Sequence, residues 1–285
     1  MKTCWFLNPG RCRPSSMGRG IGAVAALLVL SACNTVPADK EKDKQAGAQT
    51  KLLSIAQSIE AKGESGTALA LYERAAANAP NDASMRVRLG NARLKAGDAE
   101  GAEQAFRAAL EIDPKDADAL LGLGTAQLQK GEAESAARSL APAAEALNSV
   151  VAYNRLGTAL VFSGNGGAAE GAFSRALALQ PSNLDTTTNL ALAEALSNNL
   201  TQAVTHMTTV VGSPLAERRH FVNYLIVLTM AGETEKARSV AVPEMSARQK
   251  SQILAKAAKL RSIPDVAKRA QEIGLLASSR DDDVT

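Results

Sequence analysis

Few side chains in this sequence have the type and spacing that catalysis or metal binding requires. The two histidines, His206 and His220, are fourteen positions apart, and neither has a second histidine or a cysteine at metal-ligand spacing. Residues 164–169 match the phosphate-binding pattern G-x-G-x-x-A, but that fingerprint needs a preceding β-strand, and here it falls between two predicted helices. No nucleophile elbow or carboxylate constellation occurs. The sequence therefore predicts no catalytic residues, no metal and no cofactor, and a protein that is not an enzyme.

Cys33 stands in a context that indicates covalent modification. Basic residues precede an apolar run at 21–30, which is too short to span a bilayer because a spanning helix needs about 20 residues. This arrangement is typical of a cleaved signal peptide. The quartet Leu-Ser-Ala-Cys at 30–33 resembles a bacterial lipobox. The resemblance implies that residues 1–32 are removed and that the Cys33 thiol receives a diacylglyceryl group. The alternative is an ordinary signal peptide cut before an unmodified Cys33.

Removal of residues 1–32 changes the charge balance and the cysteine inventory. The whole chain has 32 basic and 29 acidic side chains, a net charge of +3, and four of the basic residues lie in the leader. The mature part then has a net charge of −1, which leaves no basic footprint for nucleic acid. Cys4 and Cys12 leave with the leader, so no cysteine pair remains for a disulfide. Met17 is an alternative translation start, with the preceding residues dispensable for export.

The rest of the chain carries an internal repeat. An alanine recurs at gaps of 33 or 34 residues, at Ala68, Ala102, Ala136, Ala169, Ala203 and Ala237. Five residues before each alanine stands a residue that can adopt positive φ and end a helix, at Gly63, Gly97, Gly131, Gly164, Asn198 and Gly232. Four residues after each alanine except the last stands a large apolar side chain, at Tyr72, Phe106, Leu140, Phe173 and Met207.

This pattern resembles the tetratricopeptide repeat (TPR), a helix–turn–helix unit of 34 residues in which small residues let two helices cross closely. The resemblance implies an all-α, right-handed solenoid of about six helix pairs at residues 49–251, with the alanines as repeat-packing positions. The units begin near Gln49, Ala83, Ala117, Val150, Leu184 and Glu217 or Arg218. The last unit is degenerate after Ala237.

The two flanks of the solenoid have different patterns. Residues 33–48 alternate in charge at 39–44, which predicts a flexible tether after the lipidated N-terminus, with a helical extension of the first repeat as the alternative. Residues 252–285 have apolar residues at helical spacing on both sides of Pro264, which predicts capping helices that cover the last open face. We expect the end from Ser278 onward to be disordered, with an acidic interaction signal at 281–283 as the alternative.

The TPR resemblance indicates where a partner protein would bind. First helices of TPR units line the concave surface, so their polar outward positions would contact a bound segment. The candidate groove contacts are Arg88, Asn91, Asn154, Arg155, Asn189 and Asn223. Apolar neighbours stand at Val87, Leu121, Leu128, Val161 and Leu192. The alternative is that the polar side chains pack between units or only face solvent.

The layout of lipobox, charged tether and about six repeats resembles the TPR lipoprotein of the tight-adherence (Tad, Flp pilus) assembly system. A local likeness lies at 212–237, where a Ser-Pro loop at 213–214 leads to an Arg-rich helix start at 218–219 and an Ala-Gly turn at 231–232. Tyr224 departs from the usual leucine of that family.

The resemblance implies a scaffold in pilus assembly, lipid-anchored in the outer membrane of a Gram-negative bacterium and facing the periplasm. Asn34 after the lipidated cysteine points, by resemblance, to outer-membrane sorting. The implied partner is a secretin or another pilus-assembly component, supported in a pilotin-like manner. Two rival hypotheses remain: an adaptor for peptidoglycan hydrolases or synthases, and an enzyme with an unrecognised site.

Overall fold

The computed structural model describes the backbone of residues 38–278 and the side chains of residues 47–274. The chain divides into two units between Lys44 and Gln45, and of the first unit only the start of a helix is described. Over the described range the regular secondary structure is entirely α-helical, which confirms the predicted all-α solenoid. The helices are α1 (Ala38–Ala61), α2 (Ser65–Asn78), α3 (Ala83–Lys95), α4 (Ala99–Ile112), α5 (Ala117–Gln129), α6 (Ala133–Leu147), α7 (Val150–Phe162), α8 (Gly166–Leu179), α9 (Leu184–Leu196), α10 (Leu200–Val211), α11 (Arg218–Met230), α12 (Thr234–Ser239), α13 (Ala247–Leu260) and α14 (Val266–Ser278).

Successive helices from α3 to α10 pack as antiparallel-type pairs, and each pair packs on the next. First helices of neighbouring units also contact one another: α3 with α5, α5 with α7, α7 with α9, and α9 with α11. Contacts between successive second helices, α4 to α10, are at most marginal in the described part. The first helices therefore line the narrower side of the stack, which we call the inner face.

Four of the first helices begin at a residue whose side chain caps the helix. Asp82, Asp116, Ser149 and Asn183 each precede a first helix, and each side chain accepts a hydrogen bond from a backbone N–H of the first turn. The predicted unit starts from Ala83 to Arg218 coincide with the observed starts of α3, α5, α7, α9 and α11. The predicted turn residues have positive φ, from 67° at Asn198 to 85° at Gly63, so that prediction is confirmed.

The repeat-packing alanines lie in the second helices and are at most 1% exposed in all six units, namely Ala68, Ala102, Ala136, Ala169, Ala203 and Ala237. The large side chain one turn later fills the space between helices; Phe106 and Leu140 are fully buried. Glycines of the first helices make room for these side chains. A Cβ at Gly122 would lie 2.2 Å from a ring carbon of Phe106, and a Cβ at Gly124 would lie 2.4 Å from Cγ of Leu140. Close crossing of the two helices in each unit thus explains why small residues recur about every 34 positions.

The predicted tether at residues 33–48 is wrong for its described part. Helix α1 starts at Ala38 and continues through Gln49, so the alternative, a helical extension of the first repeat, is what the structure has. Residues 38–48 are rich in Ala, Lys, Glu and Gln, which have high helix propensity, and the alternating charges place opposite signs three residues apart, as a helix favours. Cys33 and the signal peptide lie outside the described residues.

The C-terminal part departs from the repeat pattern in two steps. The predicted degeneration after Ala237 is confirmed, since α12 ends at Ser239 and Pro243 follows shortly after. Helix α13 packs on α11 and covers the end of the stack. Helix α14 was expected to extend that cap, but it instead packs against α7, α9 and α11 on the inner face as well as on α13. Pro264, in the loop between the two helices, separates α13 from α14 and lets the chain turn back.

No helix in the described part of the chain is long and apolar enough to cross a membrane.

Candidate functional site

The inner face of α3, α5 and α7 forms an open groove. Its lining side chains combine apolar, polar and charged groups around a cavity of about 360 Å³, and they are Ser84, Val87, Arg88, Asn91, Asp118, Leu121 and Arg155, with Gly122 at the floor. Three of the six candidate contacts, Arg88, Asn91 and Arg155, are therefore brought together here. Arg88 and Asn91 come from α3, and Arg155 comes from α7, more than 60 residues later in the sequence. We call this surface the open groove.

Arg155 is the most strongly positioned polar side chain of the open groove. Its Nη1 donates a hydrogen bond to Oγ1 of Thr125 at 2.8 Å, and that hydroxyl in turn donates to the backbone oxygen of Leu121 at 2.7 Å. The chain of bonds joins α7 to α5. Burial lowers the pKa of the Arg155 guanidinium from its ordinary value, although the group stays charged at neutral pH. No described carboxylate forms an ion pair with Arg155.

The charge of the open groove favours acceptor groups on a ligand. Arg88 and Arg155 provide two guanidinium groups, and Asp118 is the one acidic side chain of the lining. Arg88 and Asn91 are exposed, so their donors can turn toward a bound chain. Guanidinium groups bind carboxylates through paired hydrogen bonds, and asparagine can both donate to and accept from a peptide backbone. The arrangement can bind a protein segment, with Val87 and Leu121 providing apolar contact.

Asn154 does not belong to the open groove. Its Nδ2 donates a hydrogen bond to Oγ1 of Thr186 at 2.8 Å, and Thr186 is fully buried on α9. Asn154 therefore packs between two units, which is the alternative to a groove contact.

Asn189 and Asn223 lie on the inner face but are covered by α14. Together with Thr158, Val161 and Leu192 they line an open-sided cavity of about 200 Å³, and Ala270, Ile273 and Gly274 of α14 line another side of it. Asn223 is 8% exposed, and its Oδ1 is buried without a hydrogen-bond partner. We call this surface the covered groove. The two residues are inner-face residues as predicted, but a helix of the same chain occupies the space in front of them.

The two histidines form hydrogen bonds with residues of neighbouring helices. His220 accepts a hydrogen bond at Nδ1 from the backbone N–H of Glu217 at 2.8 Å, so its Nε2 is the donor to Asp185 at 3.0 Å. His206 contacts the buried Glu194 at 2.8 Å, and burial raises the pKa of that carboxyl against the opposing effect of His206. The described residues contain no cluster of three or more His, Cys, Asp or Glu side chains that could hold a metal ion. Residues 164–169 form the helix–turn–helix junction of α7 and α8.

Sequence reasoning missed three features of these surfaces. Thr125 and Thr186 hold Arg155 and Asn154, but a threonine on a first helix has no distinctive signal before the partner is known. Asp118 lines the open groove, and its position in the first turn of the first helix α5 is a signal that could have identified it. The placement of α14 was not predictable from its apolar spacing, because that spacing shows which side of the helix is buried and not which surface buries it.

Family models match most of the solenoid. The model described as the cilia and flagella-associated protein 70 middle TPR-like domain matches residues 52–154, and the tetratricopeptide repeat model matches residues 154–212. No curated protein matches the sequence.

Several solved structures share the fold. A tetratricopeptide repeat protein from Parabacteroides merdae has a TM-score of 0.62 and 15% identity, covering 83% of this chain and 96% of its own. PilF from Pseudomonas aeruginosa has a TM-score of 0.57 and 14% identity, covering 81% and 98%. MamA from Desulfovibrio magneticus RS-1 has a TM-score of 0.54 and 22% identity, covering 57% and 93%. The solved structures show the fold, and the two family models, which together span residues 52–212, identify the chain as a tetratricopeptide-repeat protein.

Proposed function

We propose that this protein is a protein–protein interaction scaffold that holds a segment of a partner protein in the open groove. The observation that carries the proposal is the presence of Arg88 and Arg155 beside Val87 and Leu121 on one inner face. Arg155 is oriented by Thr125 without being neutralised by a described carboxylate. A bound segment would place carboxylate or carbonyl oxygens on the two guanidinium groups and apolar side chains on the aliphatic part of the lining.

We further propose that the partner is a component of the tight-adherence pilus assembly system, and that a secretin contributes the bound segment. The support is the sequence resemblance at residues 212–237 and the layout of lipobox and repeats. In this proposal the lipid on Cys33 anchors the scaffold in the outer membrane, facing the periplasm, so that the secretin segment is held beside the membrane in which the ring forms. The proposed function is pilotin-like, because the lipid determines where the protein is located and the open groove binds the partner segment.

The test uses a strain that lacks the gene and is complemented with variants. Arg88→Glu reverses an exposed charge of the open groove, and Arg138→Glu makes the same change on the exposed side of the second helix α6. We expect Arg88→Glu to reduce detergent-resistant secretin multimers and surface fibres, with pilin levels unchanged. Arg138→Glu should behave like the wild type. Cys33→Ser tests anchoring separately, and we expect it to mislocalise the scaffold and reduce the multimers.

Normal multimers and fibres in the deletion strain would contradict the pilus assignment. Equal activity of Arg88→Glu and wild type would contradict the open groove as the binding surface. Altered cell shape with intact fibres in the deletion strain would favour the peptidoglycan adaptor instead.

A further inference from the structure

The covered groove is occupied by α14, which contacts it through buried apolar side chains. Ala270 and Ile273 are the buried apolar side chains of α14, with 3% and 4% exposure. Among the described residues of α14, no side chain forms a hydrogen bond or ion pair with α7, α9 or α11. A side-chain hydrogen bond in the described part of this helix is local: the backbone N–H of Lys268 donates to Oδ1 of Asp265. Over its described residues, α14 therefore contacts the inner face through apolar side chains.

The fit of α14 to this surface is also incomplete. A cavity of about 200 Å³ remains between α14 and the first helices. One buried polar atom of the cavity lining, Oδ1 of Asn223, has no hydrogen-bond partner. A buried acceptor without a donor costs free energy that a better-matched ligand would not lose. The covered groove therefore has an unused acceptor and unused volume under its present occupant.

The position of α14 shows what kind of ligand this surface accepts. Three small residues, Ala267, Ala270 and Gly274, are spaced at three and four positions and so lie on one side of the helix. A Cβ added to Gly274 would lie 3.6 Å from the ring of Phe162, and Ala267 lies beside Gly164 at the end of α7. Small side chains let the helix approach the first helices closely, and Ile273 is a large apolar side chain of the described residues that lines the cavity.

We propose that α14 is a displaceable occupant of the covered groove, and that this surface binds an amphipathic helix of a partner protein in exchange for α14. The partner helix presents a strip of small residues, one large aliphatic side chain, and a hydrogen-bond donor for Oδ1 of Asn223. This inference rests on the proposed scaffold function and adds a second binding surface beside the open groove. Displacement of α14 joins the two surfaces into one continuous inner face along α3, α5, α7, α9 and α11.

The experiment measures exchange with the purified full chain and needs no knowledge of the natural partner. The probe is a fluorescein-labelled synthetic peptide of residues 264–278. Ile273→Asp in the protein places a carboxylate in the apolar contact of α14, and Gln271→Asp places one on the exposed side of the same helix as the matched control. In the wild type the tethered α14 competes at high effective concentration and excludes the added peptide.

We expect the peptide to bind the Ile273→Asp protein at least about tenfold more tightly than the wild type or the Gln271→Asp protein, as measured by fluorescence anisotropy. A peptide carrying Ala270→Leu should lose that binding, because Ala270 has no room for a larger side chain. Hydrogen exchange of the α14 amides should accelerate about tenfold in Ile273→Asp, while α9 and α11 amides stay protected.

Three results would overturn the inference. The first is equal or absent peptide binding in all proteins. The second is joint loss of protection in α9, α11 and α14, which would make α14 an integral part of the core. The third is undiminished binding of the Ala270→Leu peptide. None of these results depends on pilus partners, so failure here leaves the open-groove proposal to its own test.

Discussion

Replacing Gly122 with alanine tests the packing that sets the repeat. A Cβ there would lie 2.2 Å from Cε1 of Phe106, and a Cβ at Gly90 would lie 2.7 Å from the same atom. The fully buried ring is thus enclosed between α3 and α5 and cannot swing away from one helix without meeting the other. Overpacking of a core costs about 1–3 kcal/mol, and this site belongs at the upper end. Alanine returns about 1 kcal/mol of helix propensity, so we expect a net loss of about 2 kcal/mol.

Gly171→Ala is the matched control, because it is the same substitution on the exposed side of α8 with no atom within 4 Å of the new Cβ. It should gain about 1 kcal/mol, so the two variants should differ by about 3 kcal/mol. The assay is urea unfolding followed by far-ultraviolet circular dichroism. Adding Phe106→Leu to Gly122→Ala should recover part of the loss. A Gly122→Ala protein as stable as Gly171→Ala would refute the close crossing.

Three further predictions concern stability. The pKa of the buried Glu103 is held below its ordinary value of 4.5, first by the hydrogen bond from Lys130, so its contribution is present at neutral pH and lost as pH falls through the lowered pKa. Glu103→Gln should therefore differ from wild type in urea unfolding at about pH 7, and the difference should shrink as the pH falls below 4.5. A difference that stays constant with pH would contradict the pairing. Asn154→Ala should lower the free energy of unfolding by about 1 kcal/mol, because it removes the hydrogen bond to α9. Asn91→Ala should change the free energy of unfolding by less than about 0.5 kcal/mol. A larger loss for Asn91→Ala than for Asn154→Ala would contradict these assignments. Asn198→Ala should lower the free energy of thermal unfolding by about 1 kcal/mol, because alanine is strained at the Asn198 φ of +67°. Asn198→Gly should show no such loss. Equal losses in the two variants would argue against backbone strain.

The solenoid was predictable because its determinants are local and repeated. A capping residue such as Asp116 or Asn183 marks the start of the first helices α3, α5, α7 and α9, and a residue with positive φ such as Gly131 marks the turn within each unit. These signals recur about every 34 residues, so an ambiguous unit is placed by its neighbours. Even the short sixth unit was indicated, because Ala241 stands where a large side chain is needed.

The remaining features depend on contacts that local sequence does not specify. The charged segment at 38–48 has a composition that is typical of a flexible tether, but its residues also have high helix propensity. In the structure this segment is helical. Asn91 and Asn154 are both polar residues of first helices, yet one is exposed in the open groove and the other bonds to Thr186 in the next unit. Helix α14 meets Val161 across about a hundred residues of sequence, and apolar spacing alone does not select that surface.

Photo-crosslinking in living cells tests the central claim, that the inner face binds a partner protein, most directly. A benzophenone amino acid replaces the exposed Asn91 in the open groove or, as control, the exposed Gln104 on the second helix α4. Mass spectrometry then identifies the captured protein and the segment attached. We predict one dominant adduct from position 91, containing a secretin segment, and none of it from position 104. Absence of any protein adduct at position 91, or the same adducts from both positions, would contradict the claim.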